Sequence, residues 1–230
     1  MNEVMGNSLF FGVMISVAAY EMGVLLKRKF KLAIFNPLLI AIAVIIVILA
    51  ITGVEYDTYN DGAKYLSYLL TPATVCLAVP LYEQLEILKK NLKAILAGIL
   101  AGALTSVTSV LILAVFFGLT QEQFVTLLPK SITTAIGMGV SEELGGIVTI
   151  TVAVIIITGV LGNMFAEAVC KIFRIEEPIA KGIGIGSASH AIGTAKAMEL
   201  GDIEGAMSSL SIAVSGLITV MLASVYAQFL

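Results

Sequence analysis

Tryptophan is absent from this 230-residue chain, histidine occurs once, at His190, and cysteine twice, at Cys76 and Cys170. One histidine and two distant cysteines do not make the clustered ligand set of a zinc site, nor do they make a disulfide framework. Charge is equally scarce, at 13% of residues with a net charge of −3. No stretch is basic enough to track phosphates, which excludes nucleic acid as a partner. No G-x-S-x-G elbow is present, and Ser187, Ser189 and His190 are neighbours in sequence rather than a triad. Gly182, Gly184 and Gly186 spell G-x-G-x-G, but no strand precedes them, so dinucleotide binding is not supported. No catalytic residue, metal or cofactor is expected.

What fills the chain instead is apolar: 59% hydrophobic residues and a mean hydropathy of +1.03. Side chains in such proportion face lipid rather than water. At roughly 20 residues per membrane-spanning helix, about six to eight crossing or re-entrant segments fit. Ser8 to Leu26 reads as the first span and ends in Lys27, Arg28, Lys29 and Lys31. A cleaved signal peptide carries its positive charges before the apolar core, so this segment is expected to stay, with the N-terminus outside. Leu32 to Val54 returns to an acidic loop holding Glu55, Asp57 and Asp61. Tyr65 to Tyr82 carries Pro72 and Pro80 and is expected to be broken. Lys89, Lys90 and Lys93 then mark a cytoplasmic loop before the span Ile95 to Leu119.

In the second half, Phe124 to Val140 is short and contains Pro129 and Lys130. Gly146 to Val169 is a span, followed by Lys171, Arg174 and Lys181, a weakly cytoplasmic set. Ile179 to Met198 is a broken crossing leading to Glu199, Asp202 and Glu204, expected outside, and Ala206 to Leu230 completes the chain. These charges require Phe124 to Val140 and the next span to make an odd number of crossings together. The proline-containing segment is the natural re-entrant loop, because irregular backbone survives at membrane depth only where protein or a watery cavity satisfies it.

Internal matches support two halves. Ile51-Thr52-Gly53-Val54 recurs as Ile157-Thr158-Gly159-Val160, Pro72-Ala73-Thr74 aligns with Ser187-Ala188-Ser189, and Gly102 with Thr105 aligns with Gly216 and Thr219. The expected fold is therefore all-α: one polytopic membrane domain over residues 1–230 with seven to eight transmembrane or re-entrant segments. Its two inverted repeats, 8–119 and 122–230, have discontinuous helices, a transporter signature with substrate bound where the broken ends meet.

A helix that begins inside a membrane leaves N–H groups unpaired and presents a partial positive charge. Thr71, Thr74, Ser187, Ser189 and Thr194 surround the breaks, where they either cap half-helices or donate to a carboxylate. Lys130, beside Ser131, Thr133 and Thr134, is either an anion-binding cation or half of an ion pair with Glu142. His190 is a proton carrier, a neutral donor, or a satisfied core histidine. Lys196 and Glu199 read as interfacial.

The stretches Thr71-Pro72-Ala73-Thr74 through Ala78-Val79-Pro80-Leu81-Tyr82, Pro129-Lys130-Ser131-Ile132-Thr133-Thr134, Ser187-Ala188-Ser189-His190 with Gly193-Thr194-Ala195, and Glu204-Gly205-Ala206 resemble the LrgB/CidB family along essentially the whole chain. The pattern departs at Ala135, where a proline is common, and at Ala191, where a glycine is. The resemblance implies an antiholin-like or holin-like membrane protein affecting murein hydrolase activity and autolysis, acting with a smaller LrgA/CidA-type partner. Relatives are linked to pyruvate movement, and the plastid relative is a glycolate/glycerate transporter. Combined with the broken segments, this makes an alternating-access carrier of small monocarboxylates (glycolate, glycerate, lactate or pyruvate) in the cell membrane the expected function, with a holin-like pore or regulatory partner as the rival. The expected substrate-binding set is Thr71, Pro72, Ala73, Thr74, Lys130, Ser131, Thr133, Thr134, Ser187, Ser189, His190, Gly193 and Thr194. The expected partners are a small carboxylate, the lipid bilayer, an LrgA/CidA-like protein and further copies of the chain.

Overall fold

Long runs of Ala, Leu, Ile and Val interrupted by single Gly, Pro, Ser and Thr residues can satisfy their own backbone in lipid only as helices. A computed structural model describes residues 10–30 and 35–230, and every regular element among them is helical. Ser8, Lys31 and Leu32, at the edges of the first two expected spans, lie outside the described residues. The described chain forms two compact units that divide between Cys76 and Leu77.

The first unit holds α1 (Phe11–Phe30), α2 (Pro37–Thr52), α3 (Tyr56–Ala63), a 3-10 turn (Lys64–Leu69) and α4 (Leu70–Cys76). Asn36 caps α2, its side chain accepting from the Leu38 and Leu39 amides, with Pro37 in the first turn; proline suits this place because its missing N–H would be unpaired there anyway. Gly53, at φ 65°, ends the helix. Glycines let α1 approach its neighbours. A Cβ on Gly12 would strike the backbone of Tyr59 and Ala63, and one on Gly23 the backbone of Pro37.

The second unit contains α5 (Ala78–Glu83), α6 (Leu85–Phe117), α7 (Gln121–Leu127), α8 (Thr134–Glu143), α9 (Val148–Ile172), α10 (Pro178–Leu200) and α11 (Asp202–Tyr226). The stretch 65–82 is broken as expected, into the 3-10 turn, α4 and α5, with Leu77 between the two helices. Among the described residues three helices, α6, α9 and α11, are long and apolar enough to cross a membrane. At 33 residues, α6 is about 50 Å long against a hydrocarbon core of roughly 30 Å. It therefore begins ten residues before the expected Ile95 and takes in Lys89, Lys90 and Lys93 as helical residues rather than loop.

Neither α7 nor α8 crosses anything. Thr126 at the end of α7 and Ser141 near the end of α8 both meet Thr151 of α9: the Thr151 hydroxyl bonds the Thr126 carbonyl at 2.8 Å and the Ser141 hydroxyl at 2.7 Å. Deeper in, Gly137 lies against the Ile155 side chain and near the Pro129 carbonyl. Residues 121–143 thus form a helical hairpin whose turn, 128–133, reaches the level of Ile155. The segment expected to turn back, Phe124 to Val140, lies within this hairpin.

A second hairpin hides inside α10. His190 has φ 41° and ψ −143°, far from helical, and the chain reverses there. Ser208 touches both arms, packing on Gly186 and bonding the Thr194 hydroxyl at 2.7 Å. In a straight helix those two residues would stand about 12 Å apart. Gly193 likewise lies against Ile185, and Lys196 pairs with Glu167 while Ser189 sits on Gly162, both partners being on α9. Residues 178–189 and 191–200 are the two arms. The expected crossing from Ile179 to Met198 is therefore not found. Glu199, Asp202 and Glu204 return to the end where Pro178 starts, and Glu204 is buried rather than in an external loop. The charge-based reading failed because a reversal at one residue leaves no polar loop in the sequence.

The hairpins enter from opposite ends. Each is followed by a span, so 121–172 and 178–226 form two oppositely directed hairpin-plus-helix units. Helices α6 and α11 run in the same direction, with Ile95 and Ile99 clustering near Ala206 and Met207 and with Val110 and Ala114 clustering near Ala223. The matched pairs Gly102/Thr105 and Gly216/Thr219 consequently lie on parallel helices. Gly53 ends a helix, whereas its match Gly159 lies within one.

Two outcomes follow. Gly186→Ala, whose Cβ would meet the Ser208 backbone, lowers stability by at least about 1–3 kcal/mol, whereas Gly139→Ala, with open space around it, is neutral or stabilising by up to about 1 kcal/mol; thermal unfolding in detergent reads both. In a background lacking Cys76 and Cys170, single cysteines at Glu177 and Asp202 label from the same side of a sealed vesicle and one at Glu143 from the other. Opposite labelling of 177 and 202 would make α10 a crossing.

Candidate functional site

Both hairpin turns arrive at the same level of the second unit. Ile155 of α9 receives Gly137 of the first hairpin on its side chain and His190 of the second on its carbonyl. On α6, Ser106 bonds Ser131 of the first turn at 2.8 Å, and Gly102, one helical turn away, lies against Ser187 of the second hairpin.

In the first turn, Pro129 has no N–H to continue α7, and the chain makes tight bonds from Lys130 N to Leu127 O and from Ile132 N to Pro129 O. Lys130 donates from Nζ to Ser131 Oγ at 3.1 Å. Among the described residues no carboxylate stands within ion-pair distance of it. The ion pair with Glu142 is not formed, because Glu142 is exposed at the far end of α8. Thr133 precedes α8 without a side-chain cap on that helix, which Thr134 begins. The ammonium and the paired hydroxyls of Ser131 and Ser106 thus stand together a few residues ahead of the start of α8, an arrangement suited to an oxyanion.

In the second turn, His190 is 3% exposed. Its Nε2 lies 2.9 Å from the Ile155 carbonyl, which only accepts, so Nε2 carries the proton. Asn163 donates to the Ile192 carbonyl at 2.8 Å, and Thr194 Oγ1 to the His190 carbonyl at 3.0 Å while sharing a bond with Ser208. For Thr194 the structure thus shows backbone capping. A positive φ on a non-glycine residue costs about 1–3 kcal/mol; the bond to Ile155 and the absence of a Cβ on Gly159, which would strike the imidazole, hold His190 there. Gly193 lets the arms meet, since a Cβ on it would collide with Ser189.

A cavity of about 470 Å³ leads to this region between α6 and the first arm of α10. Asn91 and Glu177 stand at its mouth, Ala94, Gly98 and Ala180 along it, and Gly102 and Ser187 at its inner end. Thr71, Pro72, Ala73 and Thr74 belong to α4 of the first unit, where Pro72 and Ala73 are exposed; the side chains of Thr71 and Thr74 lie outside the described residues. Lys196, expected at the interface with Glu199, does bond Glu199 at 3.1 Å but also pairs with Glu167, tying the second arm to α9. Sequence reasoning missed Ser106, Asn163, Ser208 and the Ile155 carbonyl. Asn163, an amide inside an apolar run, was the one with a visible signal.

The LrgB-like family model matches residues 16–229. The chain belongs to the LrgB-like family. Antiholin-like protein LrgB from Bacillus mycoides (strain KBAB4) is 38% identical over 222 residues, covering 96% of each chain, and the proteins of that name from Bacillus cereus (strains B4264 and AH187) align equally well. No solved structure matches. Membership accords with the apolar helices α6, α9 and α11, and makes this LrgB-like chain a membrane protein.

Replacing His190 in this LrgB-like fold with Ala leaves the Ile155 carbonyl without its side-chain donor and lowers stability by about 1–3 kcal/mol, read as the thermal midpoint of the solubilised protein. An unchanged midpoint would mean that the bond holds nothing.

Proposed function

We propose that this protein is a carrier of small monocarboxylates, of the glycolate, glycerate, lactate or pyruvate class, working by alternating access. The observation that carries the reading is Lys130: a half-buried cation with no carboxylate partner among the described residues, at the turn of one hairpin and one α6 helical turn from the other. A compact monoanion suits one formal positive charge flanked by hydroxyl and amide donors. Opposed hairpins in oppositely directed units favour a transporter, because movement of either past α6 exposes the same point to a different side. The positive-inside rule places Lys89, Lys90, Lys93 and Lys181 in the cytoplasm and the N-terminus outside; the cavity mouth at Asn91 and Glu177 then opens inward. Residence in the cell membrane, assembly into homo-oligomers, pairing with an LrgA/CidA-like protein and an influence on murein hydrolases and autolysis belong to the same proposal.

The name of the relatives, antiholin-like, favours a second reading: a pore or regulatory membrane partner without carrier activity. Liposomes containing the purified protein separate the two. The carrier gives saturable uptake of radiolabelled glycolate or lactate, and Lys130→Met lowers it about 10- to 100-fold, the loss expected for a charge-assisted bond. Release of dyes too large for the cavity, without saturable uptake, would establish the pore. Uptake indifferent to Lys130→Met would remove the lysine from the site.

A further inference from the structure

The inner end of the cavity carries a hydroxyl whose proton is already committed. Ser187 Oγ donates to the Ile183 carbonyl at 2.7 Å, with the Gly184 carbonyl more distant at 3.4 Å. A serine hydroxyl has one proton and two lone pairs, so what Ser187 offers to the cavity it lines is an acceptor. Its oxygen lies against Gly102 of α6, where a Cβ would stand 2.6 Å from it, and both residues line the cavity. One turn further along α6, on the order of 6 Å away, Ser106 joins Ser131 and Lys130. The region is therefore polarised, with donors at the Lys130 end and an acceptor at the Ser187 end, on neighbouring turns of α6.

We infer that Ser187 determines specificity by accepting a hydrogen bond from the α-hydroxyl of a 2-hydroxy monocarboxylate held by Lys130, Ser131 and Ser106, and so selects 2-hydroxy over 2-oxo acids. The inference rests on the carrier reading above. A 2-oxo acid places a carbonyl oxygen where the hydroxyl would be, acceptor against acceptor. For Ser187 to donate to it, the bond to Ile183 must be given up, so a 2-oxo acid forfeits a hydrogen bond that a 2-hydroxy acid keeps.

Lactate and pyruvate share a carbon skeleton and a charge and differ only at this group, so proteoliposome uptake of radiolabelled lactate with either acid as competitor reads the inference directly. Wild-type protein requires about tenfold or more pyruvate than lactate for half-inhibition, and glyoxylate against glycolate shows the same gap. In Ser187→Ala the gap narrows to within about twofold, because the apparent KM for lactate rises while inhibition by pyruvate is kept. Wild-type protein that takes pyruvate as readily as lactate, or a Ser187→Ala variant that loses both equally, overturns the role of Ser187 and leaves the carrier intact. Absence of saturable uptake of either acid overturns both. The wild-type comparison needs no variant, so misfolding of Ser187→Ala does not shelter the claim.

Discussion

Close approach of the second hairpin to the three helices around it is the constraint on which the second unit depends. Lipid tails are as apolar as leucine side chains, so burying Phe124 or Ile99 adds little that the membrane does not already provide; cohesion has to come from tight packing and interior hydrogen bonds. The hairpin meets that demand with glycines on every side: Gly98 and Gly102 of α6 under Ile183 and Ser187, Gly159 and Gly162 of α9 under His190 and Ser189, and its own Gly182 and Gly186 against the backbone of α11. Remove that closeness and the bonds from His190 to Ile155, Asn163 to Ile192 and Thr194 to Ser208 fall out of reach as well.

A reversal at membrane depth also exposes main-chain groups that water cannot satisfy. Side chains answer at the second turn, through Asn163 and Thr194 around His190, with Ser208 holding Thr194, and at the base of the first hairpin through Thr126, Ser141 and Thr151. These hydroxyls and amides are consumed by structure. Lys130, with Ser131 and Ser106, is different in having no acid to neutralise it among the described residues, and Ser187 is different in presenting a lone pair to a cavity. The proposed site is thus built from what remains after the fold's own polar requirements are met.

Much of this was legible beforehand. Pro129 and Lys130 in a short apolar segment indicated a turn at depth, and Ser187-Ala188-Ser189-His190 marked the second break, because proline and small polar residues interrupt a helix for local reasons. The split of 65–82 followed from Pro72 and Pro80 in the same way. The reversal at His190 was not legible: nothing polar separates the two arms, and the information lies in Ser208 touching Gly186 and Thr194 at once. Nor could Lys196 be matched to Glu167, 29 positions away, or Ser106 to Ser131, since such pairings exist only after the helices pack.

Sequence by itself determined the solvent, the helical class, the family and the places where helices stop, because scarcity of charge, apolar run length, proline positions and local motifs act within a few residues of where they are written. Tertiary structure decided which interruptions are reversals, which hydroxyls are spent on carbonyls, and that two turns 60 residues apart share one level of α9. Those are properties of distances across the bundle, set by glycine contacts between helices and invisible to any single segment.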